Sequence, residues 1–78
     1  MSSKAEQILA GLGGADNVVE IEPCITRLRT EVRDGNKIDE AALKAIHGVA
    51  GVISSGNVIQ VVVGPEADNI ADDIEDLM

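Results

Sequence analysis

Apolar residues fall at Ala5, Ile8, Leu9 and Leu12, the spacing of one helix face, and Ser3 followed by Glu6 forms a capping-box pattern at its start. Gly13-Gly14 is expected to end this helix, and Asp16-Asn17 to supply a turn. The period then drops to two: over residues 18–22, Val19 and Ile21 alternate with Glu20 and Glu22. The chain reaches Pro23-Cys24, which reads as an exposed corner because proline lacks an amide donor and holds Glu22 in extended geometry. Over residues 26–33 the strand period resumes, with Leu28, Thr30 and Val32 on one face and Arg27, Arg29, Glu31 and Arg33 on the other. Asp34-Gly35-Asn36 is a turn. Asp39 is placed to cap a second helix through Ala42, Leu43 and Ile46, with Ile38 and Leu43 as a hydrophobic staple and Gly48 as its left-handed C-terminal cap. Gly51 leads into Val52-Ile53-Ser54-Ser55, and Gly56-Asn57 turns the chain into an apolar run over residues 58–63. Only Gln60 interrupts that run, which suits an interior strand and makes Gln60 an exposed or edge polar residue. Pro65 opens a third helix with the stripe Ala67, Ile70, Ala71, Ile74 and Leu77; Asp73, Glu75 and Asp76 oppose its dipole, so its last turn is expected to fray.

The predicted order is helix, two strands, helix, two strands, helix. Both strand pairs have hairpin-length connections, which makes the sheet antiparallel and collects the helices on one side. The expected fold is therefore α+β: a four-stranded antiparallel sheet with three helices on one face, in the order αββαββα, as a single domain over residues 1–78. Arg27 and Arg29 then belong to the open face, since Leu28 and Thr30 between them belong under the helices.

Composition narrows what such a domain can do. A chain of 78 residues commits nearly all its apolar side chains to one core and leaves little for a deep pocket. It has no Phe, Tyr or Trp, so stacking on bases or sugar rings is excluded. The formal charge of −8 opposes binding to nucleic acid, whose phosphates select basic surfaces. One cysteine cannot form an internal disulfide, and one Cys with one His cannot build a structural zinc site, so no metal or cofactor is expected. No apolar run approaches the roughly 18 residues of a membrane span, and no export-signal pattern is present, so the chain is expected neither to cross a membrane nor to be exported.

The candidate chemistry lies at Cys24, with Arg27 and Arg29 on a shared strand face close behind it. Guanidiniums beside a thiol favour the nucleophilic thiolate and offer paired donors to an anion. The same residues also fit an inert small side chain beside a solvated strand face. A tyrosine-phosphatase-type loop would need arginine where Thr30 stands, and a thioredoxin-type site would need a second cysteine where Arg27 stands. His47 reads as a helix-end residue beside the last carbonyls. The glycines over residues 48–51 lack the lysine of a phosphate loop.

Four stretches together resemble the IIB domain of the bacterial phosphoenolpyruvate-dependent sugar phosphotransferase system, in its glucose family. They are Gly13-Gly14 with Asn17-Val18, the run Cys24-Ile25-Thr26-Arg27-Leu28-Arg29, Gly48-Val49-Ala50-Gly51-Val52, and Gln60-Val61-Val62-Val63-Gly64-Pro65. The resemblance implies that Cys24 is the phosphorylated residue, taking a phosphoryl group from a phosphohistidine of a IIA protein and passing it to a sugar of glucose or N-acetylglucosamine type on the membrane IIC permease. It also implies that Arg27 and Arg29 are required, and that the protein works as a cytoplasmic monomer at the inner face of the membrane. Guanidinium pairs suit the alignment of transferring oxygens, and the amides of Ile25 and Thr26 are expected to add donors as an anion nest. The competing expectation is a catalytically silent binding or regulatory domain of the same shape, in which the arginines form an interaction patch. Phosphoryl transfer separates the two.

Overall fold

The computed structural model describes residues 3–78. Helix α1, Lys4–Gly11, begins at Ser3, whose side chain accepts from the Glu6 amide while the Glu6 carboxylate accepts from the Ser3 amide. It is followed by strands β1 (Val18–Cys24) and β2 (Arg27–Val32), helix α2 (Glu40–Ala45), strands β3 (Gly51–Ser55) and β4 (Val58–Val62), and helix α3 (Ala67–Leu77). Asp39 caps α2 by accepting from the Ala42 amide, and the half-buried Ile38 before it packs on the core as the staple pattern requires. Short 3-10 turns at Gly35–Lys37 and Gly64–Glu66 join the elements, the second carrying Pro65 at its start.

All strand pairings are antiparallel, in the spatial order β1-β2-β4-β3. The two hairpins thus lie side by side, with the second strand of each in the middle. Along β2 burial alternates without a break: Leu28, Thr30 and Val32 are buried while Arg27, Arg29 and Glu31 are exposed. Ile59 and Val61 of β4 continue the buried face, on which Ile70, Ala71 and Ile74 of α3, Ile8 and Leu9 of α1, and Leu12 just past its end complete the core. The α+β architecture expected from the pattern is the one observed.

Three local expectations are corrected. Val19 is 48% exposed, and Val18 and Ile21 are the buried pair of β1. A bulge is responsible: Val18 faces Val32 but Glu20 faces Glu31, so β1 spends one more residue than β2 and its alternation reverses there. Strand β1 also runs on through Pro23 to Cys24. Because β1 is an edge strand, a missing amide at Pro23 need not break the sheet ladder. Leu77 is 43% exposed, so the apolar stripe of α3 ends at Ile74, although the helix itself continues to Leu77.

The buried Asn17 ties the end of α1 to the end of β2. Its Nδ2 donates to the Leu12 carbonyl at 2.7 Å and the Asp34 carbonyl at 3.1 Å, and its Oδ1 accepts from the Asp34 amide at 3.0 Å. Gly13 crosses this network at φ +97°, where a Cβ would stand 2.6 Å from Asn17 Nδ2, so both backbone conformation and space call for glycine.

Thr30 is the contrasting case, for its Oγ1 is fully buried and has no hydrogen-bond partner among the described residues. Replacing a stranded hydroxyl by a methyl group of the same shape removes a desolvation penalty of about 1–3 kcal/mol. Thr30→Val is expected to raise unfolding stability by about 1 kcal/mol, read from the urea midpoint at unchanged slope.

Candidate active site at the first hairpin

The only residues between β1 and β2 are Ile25 and Thr26, so the hairpin closes on the cross-strand pair Cys24 and Arg27. The next pairs are Pro23 with Leu28 and Glu22 with Arg29. Leu28 is buried on the helix side, which leaves Arg27 and Arg29 on the open face; Cys24 and Glu22, their direct partners, share that face. The structure places Arg27 directly across from Cys24 and Arg29 two pairs further along the same face, opposite Glu22, an order the sequence did not contain.

The exposed corner is therefore Ile25-Thr26, two residues beyond the place where Pro23 suggested it. Ile25 is 89% exposed and adopts φ +57°, a left-handed conformation that opposes a β-branched side chain. The tip is anchored from behind, because the Thr26 carbonyl accepts from both the Val63 and Gly64 amides at 2.9 Å. Among the described residues, the amides of Ile25 and Thr26 have no hydrogen-bond partner. They sit beside Cys24 in sequence, which suits the expected anion nest.

Each arginine has a different companion. Arg27 donates through Nη1 to Gln60 Oε1 on β4 at 3.0 Å. Arg29 Nη1 lies 3.9 Å from Glu22 Oε2, a pair with side chains 56% and 59% exposed, so it holds Arg29 only weakly. Cys24 is a free, exposed thiol. An exposed thiol with Arg27 across the hairpin and Arg29 further along the same face, and with amides at the adjoining turn, offers the kinds of donor that an anionic group needs.

His47 lies apart from this site, exposed in the turn after α2, and among the described residues its side chain makes no hydrogen bond to the helix-end carbonyls. Gln60 is the residue that sequence reasoning set aside. It sits on an inner strand and is half-buried, neither an edge nor a fully exposed position. Its signal was visible as the one polar residue in an apolar strand.

A small antiparallel sheet carrying helices on one face, with a thiol and two arginines at a hairpin tip on the other, defines a phosphoryl-carrier type of domain. Comparison with known proteins gives the family. The family described as phosphotransferase system, EIIB matches residues 6–39, which include the whole hairpin. The N-acetylglucosamine-specific EIIB component of the phosphotransferase system from Streptomyces coelicolor is 63% identical over 78 residues, covering all of both chains. The glucose-specific EIICBA component from Staphylococcus saprophyticus is 42% identical over 71 residues, covering 91% of this chain and 10% of that protein. A crystal structure of one domain of a phosphotransferase IIabc component from Clostridium difficile superposes with a TM-score of 0.81 at 27% identity, covering 96% of this chain and 78% of the other. The chain belongs to the EIIB family of the sugar phosphotransferase system, and it is a phosphotransferase component.

The left-handed Ile25 predicts a measurable strain. Asparagine tolerates this region far better than isoleucine, whose exposed side chain contributes little packing to lose. Ile25→Asn is expected to stabilise the domain by about 1 kcal/mol, seen as a higher thermal midpoint. An unchanged or lowered midpoint would mean that the turn is not strained.

Proposed function

We propose that Cys24 is the phosphoryl acceptor, that Arg27 and Arg29 clamp the transferring group, and that the Ile25 and Thr26 amides assist. The observation that carries this reading is the register of the hairpin, which sets the exposed thiol directly opposite Arg27 on the open face of the sheet. In acceptance, sulfur attacks phosphorus of a phosphohistidine on the IIA partner, the P–N bond breaks, and the thiol proton ends on the imidazole. In delivery, a sugar hydroxyl oxygen attacks phosphorus, the P–S bond breaks, and the hydroxyl proton ends on the thiol. Alignment and charge neutralisation dominate both steps, and planar guanidiniums supply them through paired hydrogen bonds.

The sugar in this proposal is N-acetylglucosamine, supported by the name of the relative that is 63% identical along its whole length. Glucose is the second reading, supported by the 42% identical relative. That relative carries the letters A, B and C in one component, which supports partners of the IIA and IIC kinds. The domain acts as a monomer on the cytoplasmic side, meeting the membrane through the permease. No helix among the described residues is long and apolar enough to cross a membrane itself.

Supplying phosphorylated IIA should add one phosphoryl group to the chain by intact mass, and Cys24→Ser should abolish it, since serine keeps the size but not the nucleophile. An adduct persisting in Cys24→Ser places the site elsewhere. Arg27→Lys and Arg29→Lys should still accept from the reactive phosphohistidine. They should lose most sugar phosphorylation, because lysine offers a mobile point charge in place of a planar fork. Radiolabelled phosphate followed from IIA to the domain and then to N-acetylglucosamine with permease membranes measures both steps. Normal delivery by both variants would reduce the arginines to a solvated face.

A further inference from the structure

Strand β4 is apolar at every position but one, and its burial alternates so that Ile59 and Val61 face the core while Val58, Gln60 and Val62 face outward. Gln60 is thus the only polar side chain on β4, and it lies on the strand's outer face. It neighbours Arg29 in register on one side and Ile53 on the other, and it offers the outer face a carbonyl that its valine neighbours cannot. Arg27 is in register with Val62, which has nothing to accept with, and its Nη1 reaches diagonally to Gln60 Oε1 at 3.0 Å.

We infer that Gln60 is the positioning residue that aims Arg27 at the phosphoryl group on Cys24 during delivery to sugar. This deepens the proposed function and rests on it. A neutral carbonyl suits the task in a way a carboxylate does not. It fixes the direction of the guanidinium through one donor, leaves the remaining donors for phosphoryl oxygens, and cancels none of the charge. Glu22 beside Arg29 shows the alternative, since a carboxylate there competes with phosphate for the cation. An exposed arginine without such a hold samples many rotamers, and misplacing a charge by about 1 Å can slow transfer by as much as about a hundredfold. In delivery the P–S bond breaks, an O–P bond forms to the sugar hydroxyl, and the hydroxyl proton ends on the thiol. Gln60 takes part in none of these bonds and acts only through Arg27.

The test uses the full chain with phosphorylated IIA as donor and permease membranes with N-acetylglucosamine as acceptor. Gln60→Leu should keep the unfolding midpoint, accept phosphate within about twofold of wild type, and deliver it about tenfold more slowly at saturating sugar with KM unchanged. Gln60→Glu should keep its fold but deliver more slowly still, because its carboxylate neutralises Arg27. Adding Gln60→Leu to Arg27→Ala should cost nothing further in single-turnover delivery, since the two residues act as one unit. Wild-type delivery by Gln60→Leu, or a further tenfold loss in the double variant, overturns the assignment while leaving Cys24 as acceptor. Failure of the wild-type chain to gain a phosphoryl group overturns both.

Discussion

Strand β2 cannot change register. Leu28, Thr30 and Val32 are buried by the helices while Arg27 and Arg29 alternate with them toward solvent, so a slip by one residue would put two guanidiniums in the core and three core side chains in water. Burying an unpaired charge costs several kcal/mol, and losing each buried aliphatic side chain costs about 1.5–3 kcal/mol more. Both ends of the strand are also pinned: the Thr26 carbonyl accepts from Val63 and Gly64, and the Arg33 amide donates to the Asn17 carbonyl at 2.8 Å. The hydrophobic burial that folds the domain is therefore what aims the arginines. Since β1 pairs with β2 through the same ladder, Cys24 is delivered opposite Arg27 as a consequence of core packing.

The parts of the fold that were legible in the sequence are those set by periodicity and caps. Ser3 with Glu6, Asp39, and the uninterrupted alternation of β2 each combine a local preference with a burial demand in the same direction. The misreadings fall where a long-range pairing overrode a local pattern. Val19 alternates correctly as a strand residue but is turned outward by a bulge defined by its partner strand. Pro23 looks like a corner by itself, yet an edge position removes the reason for the chain to bend there. At the site, residue types and spacing placed Arg27 and Arg29 on one open face close behind Cys24, and the pairing that puts Cys24 on that face came from the register of β1 with β2. The diagonal contact from Arg27 to Gln60 joins residues 33 apart in sequence, and it follows only from β4 lying beside β2, which local hairpin signals do not specify.

Charge on the open face of the first hairpin is mixed, with two arginines set among three glutamates. The chain has a formal charge of −8 and six Lys and Arg residues, and two of those six, Arg27 and Arg29, share an open sheet face with the one thiol. Glu20, Glu22 and Glu31 occupy neighbouring exposed positions on β1 and β2. The two arginines are therefore a local feature bounded by carboxylates, an arrangement that disfavours a long polyanion. This matches a group that must be held briefly and surrendered. A broad basic surface would bind phosphate-rich polymers indiscriminately.

The hairpin tip itself is open to solvent, with Cys24, Ile25, Thr26 and Arg27 all exposed. The groove between α1 and α2 is lined by residues such as Ala10, Gly11, Asp39, Ala42 and Ile46, none of which belongs to the first hairpin. Transfer between oxygen, nitrogen and sulfur nucleophiles benefits when water is kept from the phosphoryl group, and an exposed hairpin tip cannot exclude water alone. With Cys24 as carrier, exclusion has to come from whichever partner covers the tip. A thiol sunk in a pocket shaped for one partner would be poorly placed for another. A projecting one, held by a backbone in which Ile25 is kept left-handed and the Thr26 carbonyl is tied down by two amides, can enter two different sites with the same geometry.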